Sequence, residues 1–151
     1  MGCDIHMHVE VFDGDHWRYL EPESVGATRN PYADDPDSDG YSSPWRVSRD
    51  YALFAVLAGV RNRGGFIVPI SEPRGIPSDA TTQVQVASAV WGSDGHSHSW
   101  VGLGELDAYP HWNEVHRMVG WPAWPGDAWC DQMDALRTIA HPVRLVFWFD
   151  N

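Results

Sequence analysis

Residues 2–12 read GCDIHMHVEVF, and the alternation within this stretch decides the fold. Cys3, Ile5, Met7, Val9 and Val11 are apolar, while Asp4, His6, His8 and Glu10 between them are ionisable. Successive strand side chains point to opposite faces, so the pattern predicts a strand over residues 1–12 with Ile5, Met7 and Val9 buried on one side. The other face then carries a carboxylate, two imidazoles and a second carboxylate in a row. Ordinary solvent-facing polarity uses Lys, Thr, Ser or Gln more often than two histidines between two acids.

Working outward, Asp13-Gly14 is a hairpin turn signal, and HWRYL (16–20) reads as the returning strand. Residues 21–47 lose all periodicity and read as a long loop; it holds four prolines and the acids Asp34, Asp35, Asp37 and Asp39, whose spacing fits no EF-hand. Ser48 is placed to cap a helix through DYALFAVLAGV, ended by Gly59. FIVPI (66–70) reads as a short buried strand or extended segment, and SEPRGIPSD as a turn-rich connection. TTQVQVASAV (81–90) alternates like a strand, but Asp79 can cap a helix there, and helix is the reading adopted. GSDGHSHS (92–99) reads as a loop, with Ser99 capping a short helix that carries Trp100, Leu103 and Leu106. The Trp- and Pro-rich stretch 109–126 reads as irregular apart from a helical turn at NEVHRMV, and Asp127 opens a clear helix. VRLVFWFDN closes the sequence as a strand apolar enough to lie centrally, beside the first strand or one removed from it. The order predicts a single α+β domain over 1–151. Its sheet is small and mainly antiparallel, built from the N-terminal hairpin and the C-terminal strand, with helices packed on one face.

The totals narrow the function. A chain of 151 residues can bury a core without staples, and its 43% hydrophobic content fits a soluble protein with no membrane span. No signal-peptide layout opens it and its two cysteines lie far apart, which predicts reduced thiols and a cytoplasmic location. A net charge of −11 argues against binding duplex DNA and leaves room for an acidic inhibitor that occupies a partner's nucleic-acid site. All ten cationic residues are arginine, suited to phosphate, carboxylate and aromatic stacking. Nine tryptophans exceed what a core of this size needs, which points to an aromatic-lined pocket or an interface, a homo-oligomeric one included.

The opening motif has an echo: DIHMH at 4–8 and DGHSH at 94–98 both fit Asp-x-His-x-His. Composition alone predicts about 0.04 such pentapeptides in a chain of this length. Histidines two apart in a strand project to one side, roughly 7 Å apart, within reach of one cation. Asp4, His6, His8, Glu10, Asp94, His96 and His98 are therefore the candidate metal ligands, for a divalent transition metal such as zinc or manganese. Without metal, His6, His8, His96 and His98 remain candidate catalytic acids and bases. The plain alternative is that the two pairs lie apart and make ordinary hydrogen bonds. Barrel hydrolases that begin with such a strand need a far longer chain, and the two-histidine phosphoesterases need His-x-Ser/Thr motifs that neither pair supplies. For a phosphorylated ligand, Arg46, Arg61 and Arg74 are the candidate cations, Arg61 reading better as a cap on helix carbonyls, with Asp79 beside the proline-fixed Arg74 loop and Trp100 as a stacking residue. Arg137 and Arg144 read as surface charges.

The opening MGCDIH, then RDYALFAVLAGVRN, EPRGIPSD, and DGHSHSW followed by Glu105-Leu106, together resemble a family of small, largely uncharacterised phage and bacterial proteins. Its members open in the same way and carry these blocks in the same order. The resemblance implies a small nucleotide ligand and a role as an antagonist of host nucleotide immune signals. Two activities fit: a phosphodiesterase-like hydrolase, or a sponge that sequesters a nucleotide second messenger without cleaving it.

Overall fold

The computed structural model describes residues 2–33 and 43–151, so the acidic cluster of the long loop lies outside the described residues. The fold is α+β. Four strands, β1 (Ile5–Phe12), β2 (Trp17–Leu20), β3 (His96–Gly102) and β4 (Val143–Phe149), form one antiparallel sheet in the order β2-β1-β4-β3. Five α-helices accompany it among the described residues: α1 (Tyr51–Ala58), α2 (Thr82–Trp91), α3 (Leu103–Ala108), α4 (Trp112–Val119) and α5 (Asp127–Arg137).

The register follows from the alternation. Ile5, Met7 and Val9 stand opposite Phe149, Phe147 and Leu145, and this apolar face gathers the buried residues of α1, α3, α4 and α5. The central position of β4 is as expected: all seven of its residues are buried. The second face is also covered. Val84 of α2 packs there against Val146 and Trp148, with Ala87 and Trp91 beside them. Val84, Ala87 and Trp91 recur at helical spacing and explain why 81–90 is a helix, while Val86 and Val90 stay exposed on its far side. Four helices thus share one face and α2 lies on the other, which leaves His6, His8 and Glu10 buried.

Several boundaries differ from the sequence reading. Asp50, not Ser48, caps α1 by accepting the Leu53 N–H at 3.0 Å, and Thr81, not Asp79, caps α2. FIVPI forms no strand; Ile70 is tied by its N–H to the Val56 carbonyl. Residues 96–102 are strand rather than loop and helix start, because β4 is apolar on both faces and takes a second neighbour through Ser99 and Val101, both fully buried. The helix expected from Ser99 starts at Leu103 instead, with the Glu105 carboxylate accepting the Gly102 N–H.

Candidate functional site

The side chains singled out from the sequence divide into three groups. In the first, a histidine from β1 meets an aspartate just beyond β4. Because Ile5 stands opposite Phe149, the next residues outward, Asp4 and Asp150, are level with each other. Their backbones and side chains interlock: the Asp4 N–H donates to Asp150 Oδ1 at 3.0 Å and the Asp150 N–H donates to the Asp4 carbonyl at 3.1 Å. Asp150 shares the pleat face of Trp148 and His6, and its Oδ2 lies 2.9 Å from His6 Nε2. A carboxylate accepts, so the contact pairs Asp150 with a hydrogen carried on His6 Nε2 and orients the ring. The His6 ring lies against the Trp91 indole, centroids 4.1 Å apart, at the end of α2.

His6, Asp150 and Trp91 line a cleft of about 500 Å³ whose other walls include Asn30, Tyr32, Trp45 and Arg46. The 43–46 segment is pinned beside β1. Above Val9 there is no β2 partner, so the Met7 N–H donates to Ser43 Oγ, which donates in turn to the Trp45 carbonyl; the Trp45 indole N–H donates to the Leu20 carbonyl. Buried Gln132 of α5 holds the Arg46 backbone twice, accepting its N–H at 2.7 Å and donating to its carbonyl at 2.6 Å. The Arg46 side chain is exposed, and it forms no salt bridge with a carboxylate among the described residues. A fixed backbone, a guanidinium without a carboxylate partner among the described residues, three aromatic side chains and a His–Asp pair therefore meet in one cavity.

The second group is structural. Glu10 stands directly opposite Arg144, and their side chains form a buried ion pair at 2.7 Å. Arg144 also binds Asp79 at 2.9 Å and lies 3.9 Å over the Trp17 ring. Glu10 Oε2 accepts the Thr81 N–H at the start of α2. This corrects the reading of Arg144 as a surface charge, and it commits both Glu10 and Asp79 to a cation of the protein itself. Asp4 is likewise engaged: its carboxylate accepts two hydrogen bonds from Arg49, which hold it below its usual range. Arg74 pairs with both oxygens of Glu105 and lies 4.7 Å over the Trp100 ring, so neither Arg74 nor the covered Trp100 face is uncommitted.

The third group is the remaining histidines. His8 is 5% exposed, stacks on Trp148 at 5.1 Å and is hydrogen-bonded through Nδ1 to the Tyr19 hydroxyl at 2.6 Å. Burial, with a smaller contribution from His6, lowers its pKa to about 3. Since an unfolded histidine takes up its proton near pH 6.5, the unfolded state binds the extra proton between these values and stability falls as pH drops through that window. We expect a loss of about 2 kcal/mol from this residue between pH 6.5 and 5, measured by urea unfolding, and a shallower loss in His8→Phe.

The echo motif does not complete a ring of ligands with the first. A bulge between His96 and Ser99, with Ser97 at φ 53°, inserts one residue into β3. His96 therefore falls opposite Phe149, on the α1 face, while His98 sits beside Trp148 at 5.8 Å, with burial and then His96 lowering its pKa. Because β4 separates β1 from β3, the two motifs are two strand spacings apart, roughly 9–10 Å. The Trp148 indole occupies the interval on the face shared by His6, His8 and His98. Asp94 is exposed in the turn before β3. Among the described residues, no three His, Cys, Asp or Glu side chains group as a metal site.

Asp150, Trp91, Trp45 and Gln132 were not anticipated from the sequence. Asp150 had a signal, since pairing the first and last strands antiparallel brings it beside the opening motif. No helix among the described residues is long and apolar enough to cross a membrane. No protein-family profile matches the chain, and no curated protein or solved structure is similar to it.

Proposed function

We propose that the cleft between β1, the 43–46 segment and α2 binds a small phosphorylated nucleotide and hydrolyses a phosphate ester in it. The observation that carries this reading is the His6–Asp150 pair, 2.9 Å apart, in a cavity that Arg46 also lines. Arg46 neutralises phosphate charge, and His6 exchanges the proton. Water attacks phosphorus as Nδ1 of His6 accepts one of its protons; the ester P–O bond breaks and the departing oxygen takes that proton from His6. Asp150 orients the ring and balances the imidazolium between the two transfers. The scheme uses no metal, because the anticipated ligands Glu10, His8 and His96 are held elsewhere.

A sponge would use the same cavity and the same arginine, and one experiment separates the two. The purified protein, with and without prior chelation, is incubated with a panel of linear and cyclic nucleotides, and the mixtures are chromatographed. Hydrolysis gives a new product peak in both preparations. A nucleotide retained but unchanged establishes sequestration, and a panel recovered unbound and unchanged contradicts both. For any nucleotide that binds, Arg46→Ala is expected to weaken the affinity by about 10- to 100-fold, the loss of a charge-assisted hydrogen-bonded contact, as read by calorimetry.

A further inference from the structure

A cavity of about 340 Å³ lies between the start of α1, the 61–67 loop and α4, and it shares no lining residue with the cleft. Tyr51 and Ala55 of α1, Phe66 and Ile67 of the loop and Met118 of α4 give it apolar walls. Its charged lining is Arg61 and Arg63, and among the described residues no carboxylate side chain lines it. In a chain with 21 acidic residues against ten arginines that balance runs counter to composition; the cleft, by contrast, carries Asp4 and Asp150. The loop that presents these groups is closed on itself. Asn62 donates through Nδ2 to the Ile67 carbonyl at 2.7 Å and accepts the Ile67 N–H at 3.2 Å, while the Gly65 N–H donates to the Asn62 carbonyl. The Phe66 ring lies against the backbone of Gly64, at φ 80°, where a Cβ would stand 2.3 Å from Phe66 Cε2. Phe66 is thereby held outward, 77% exposed, and Met118 is exposed as well. Arg61, at φ 56°, lies 5.5 Å over the Tyr51 ring and donates to the Gly2 carbonyl and Asn151 Oδ1, which fixes its charge in the wall. Arg63 is exposed and has no carboxylate partner among the described residues.

We propose that this cavity is a second binding site, for a small organic anion: a carboxylate met by Arg63, carried on an aromatic or alkyl body that lies against Phe66, Ile67 and Met118. The volume falls in the lower part of the range of small-molecule sites, and apolar walls with a few placed charges are their usual make-up. A guanidinium takes a carboxylate through two parallel hydrogen bonds, and Arg61 adds a second positive charge with no lining acid to oppose it. A neutral apolar molecule gains the walls alone, so the site selects for the charge. The proposal stands independently of the nucleotide reading of the cleft.

The test is a titration of the nitrogen-15-labelled protein, followed through its backbone amides by NMR, with 1-naphthoate, octanoate and the neutral 1-naphthalenemethanol. At least one of the two acids is expected to shift the amides of Arg63, Gly64, Gly65 and Met118 saturably, and 1-naphthoate to bind about tenfold or more tightly than the alcohol. Arg63→Gln should weaken binding of the acid by about tenfold and leave that of the alcohol unchanged. Met118→Glu, at an exposed position, sets a carboxylate in the wall and should weaken the acid at least as much, with the rest of the amide spectrum in place as the check on folding. Equal affinities for acid and alcohol, or an acid affinity unchanged in Arg63→Gln, overturn the anion site and leave an apolar hollow. Shifts confined to the cleft, around His6 and Arg46, or no saturable shift with either acid, overturn the proposal altogether.

Discussion

His6→Gln should abolish product formation, lowering turnover by about 10²- to 10⁴-fold, while nucleotide binding stays within a few-fold of wild type. Glutamine keeps a polar group near Asp150 but cannot accept and return a proton. His6 makes no part of the apolar cluster on the α1 face, so the variant should remain folded, as checked by its unfolding midpoint. Asp150→Asn provides the second reading. It retains the ring but replaces the acceptor opposite Nε2, so the hydrogen is no longer fixed on that nitrogen and turnover should fall again. A residue that served only as packing against Trp91 would show the opposite split, with stability lost and residual activity proportional to folded protein.

Glu10→Leu should destabilise the protein by about 3–5 kcal/mol, because it leaves the Arg144 guanidinium buried without its main countercharge. Asp79 moderates the effect only in part, since its carboxylate is 63% exposed and bonds a single Arg144 nitrogen. The Thr81 N–H at the start of α2 also loses its acceptor. The paired change Glu10→Leu with Arg144→Met removes both charges and should recover most of the loss, as two apolar side chains of similar size often replace a buried pair at little cost. Chemical denaturation of the two variants measures both values. If Glu10 instead served a ligand, the single variant would bind more weakly at unchanged stability.

The strand arithmetic was legible because it rests on a period of two. Met7 and Val9 announce one buried face, and the apolar run at 143–149 announces a central strand; antiparallel pairing of the two then places Glu10 opposite Arg144 and Asp150 beside Asp4. Without that register, Arg144 reads as a surface charge and Asp150 belongs to no motif of its own. The echo motif misled for a different reason. HSHS gives no sign of a bulge, yet Ser97 in the left-handed region shifts the pleat by one residue and sends His96 and His98 to opposite faces. Nor does spacing alone reveal an intervening strand: the two motifs flank β4, and the Trp148 ring stands where a shared ligand would have been. Arg46 and Arg74 looked alike as candidate cations, and only the contact with Glu105 distinguishes the committed one from the available one.

The central claim, that His6 held by Asp150 is the reacting group of the cleft, is tested most directly by nitrogen NMR of histidine-labelled protein titrated with a nucleotide that binds. The expected spectrum of the free protein shows His6 with hydrogen on Nε2 and none on Nδ1, and addition of the nucleotide shifts the Nδ1 resonance while those of buried His8 hold still. A His6 resonance that stays unchanged as the nucleotide saturates the protein would contradict the account and place binding elsewhere on the molecule.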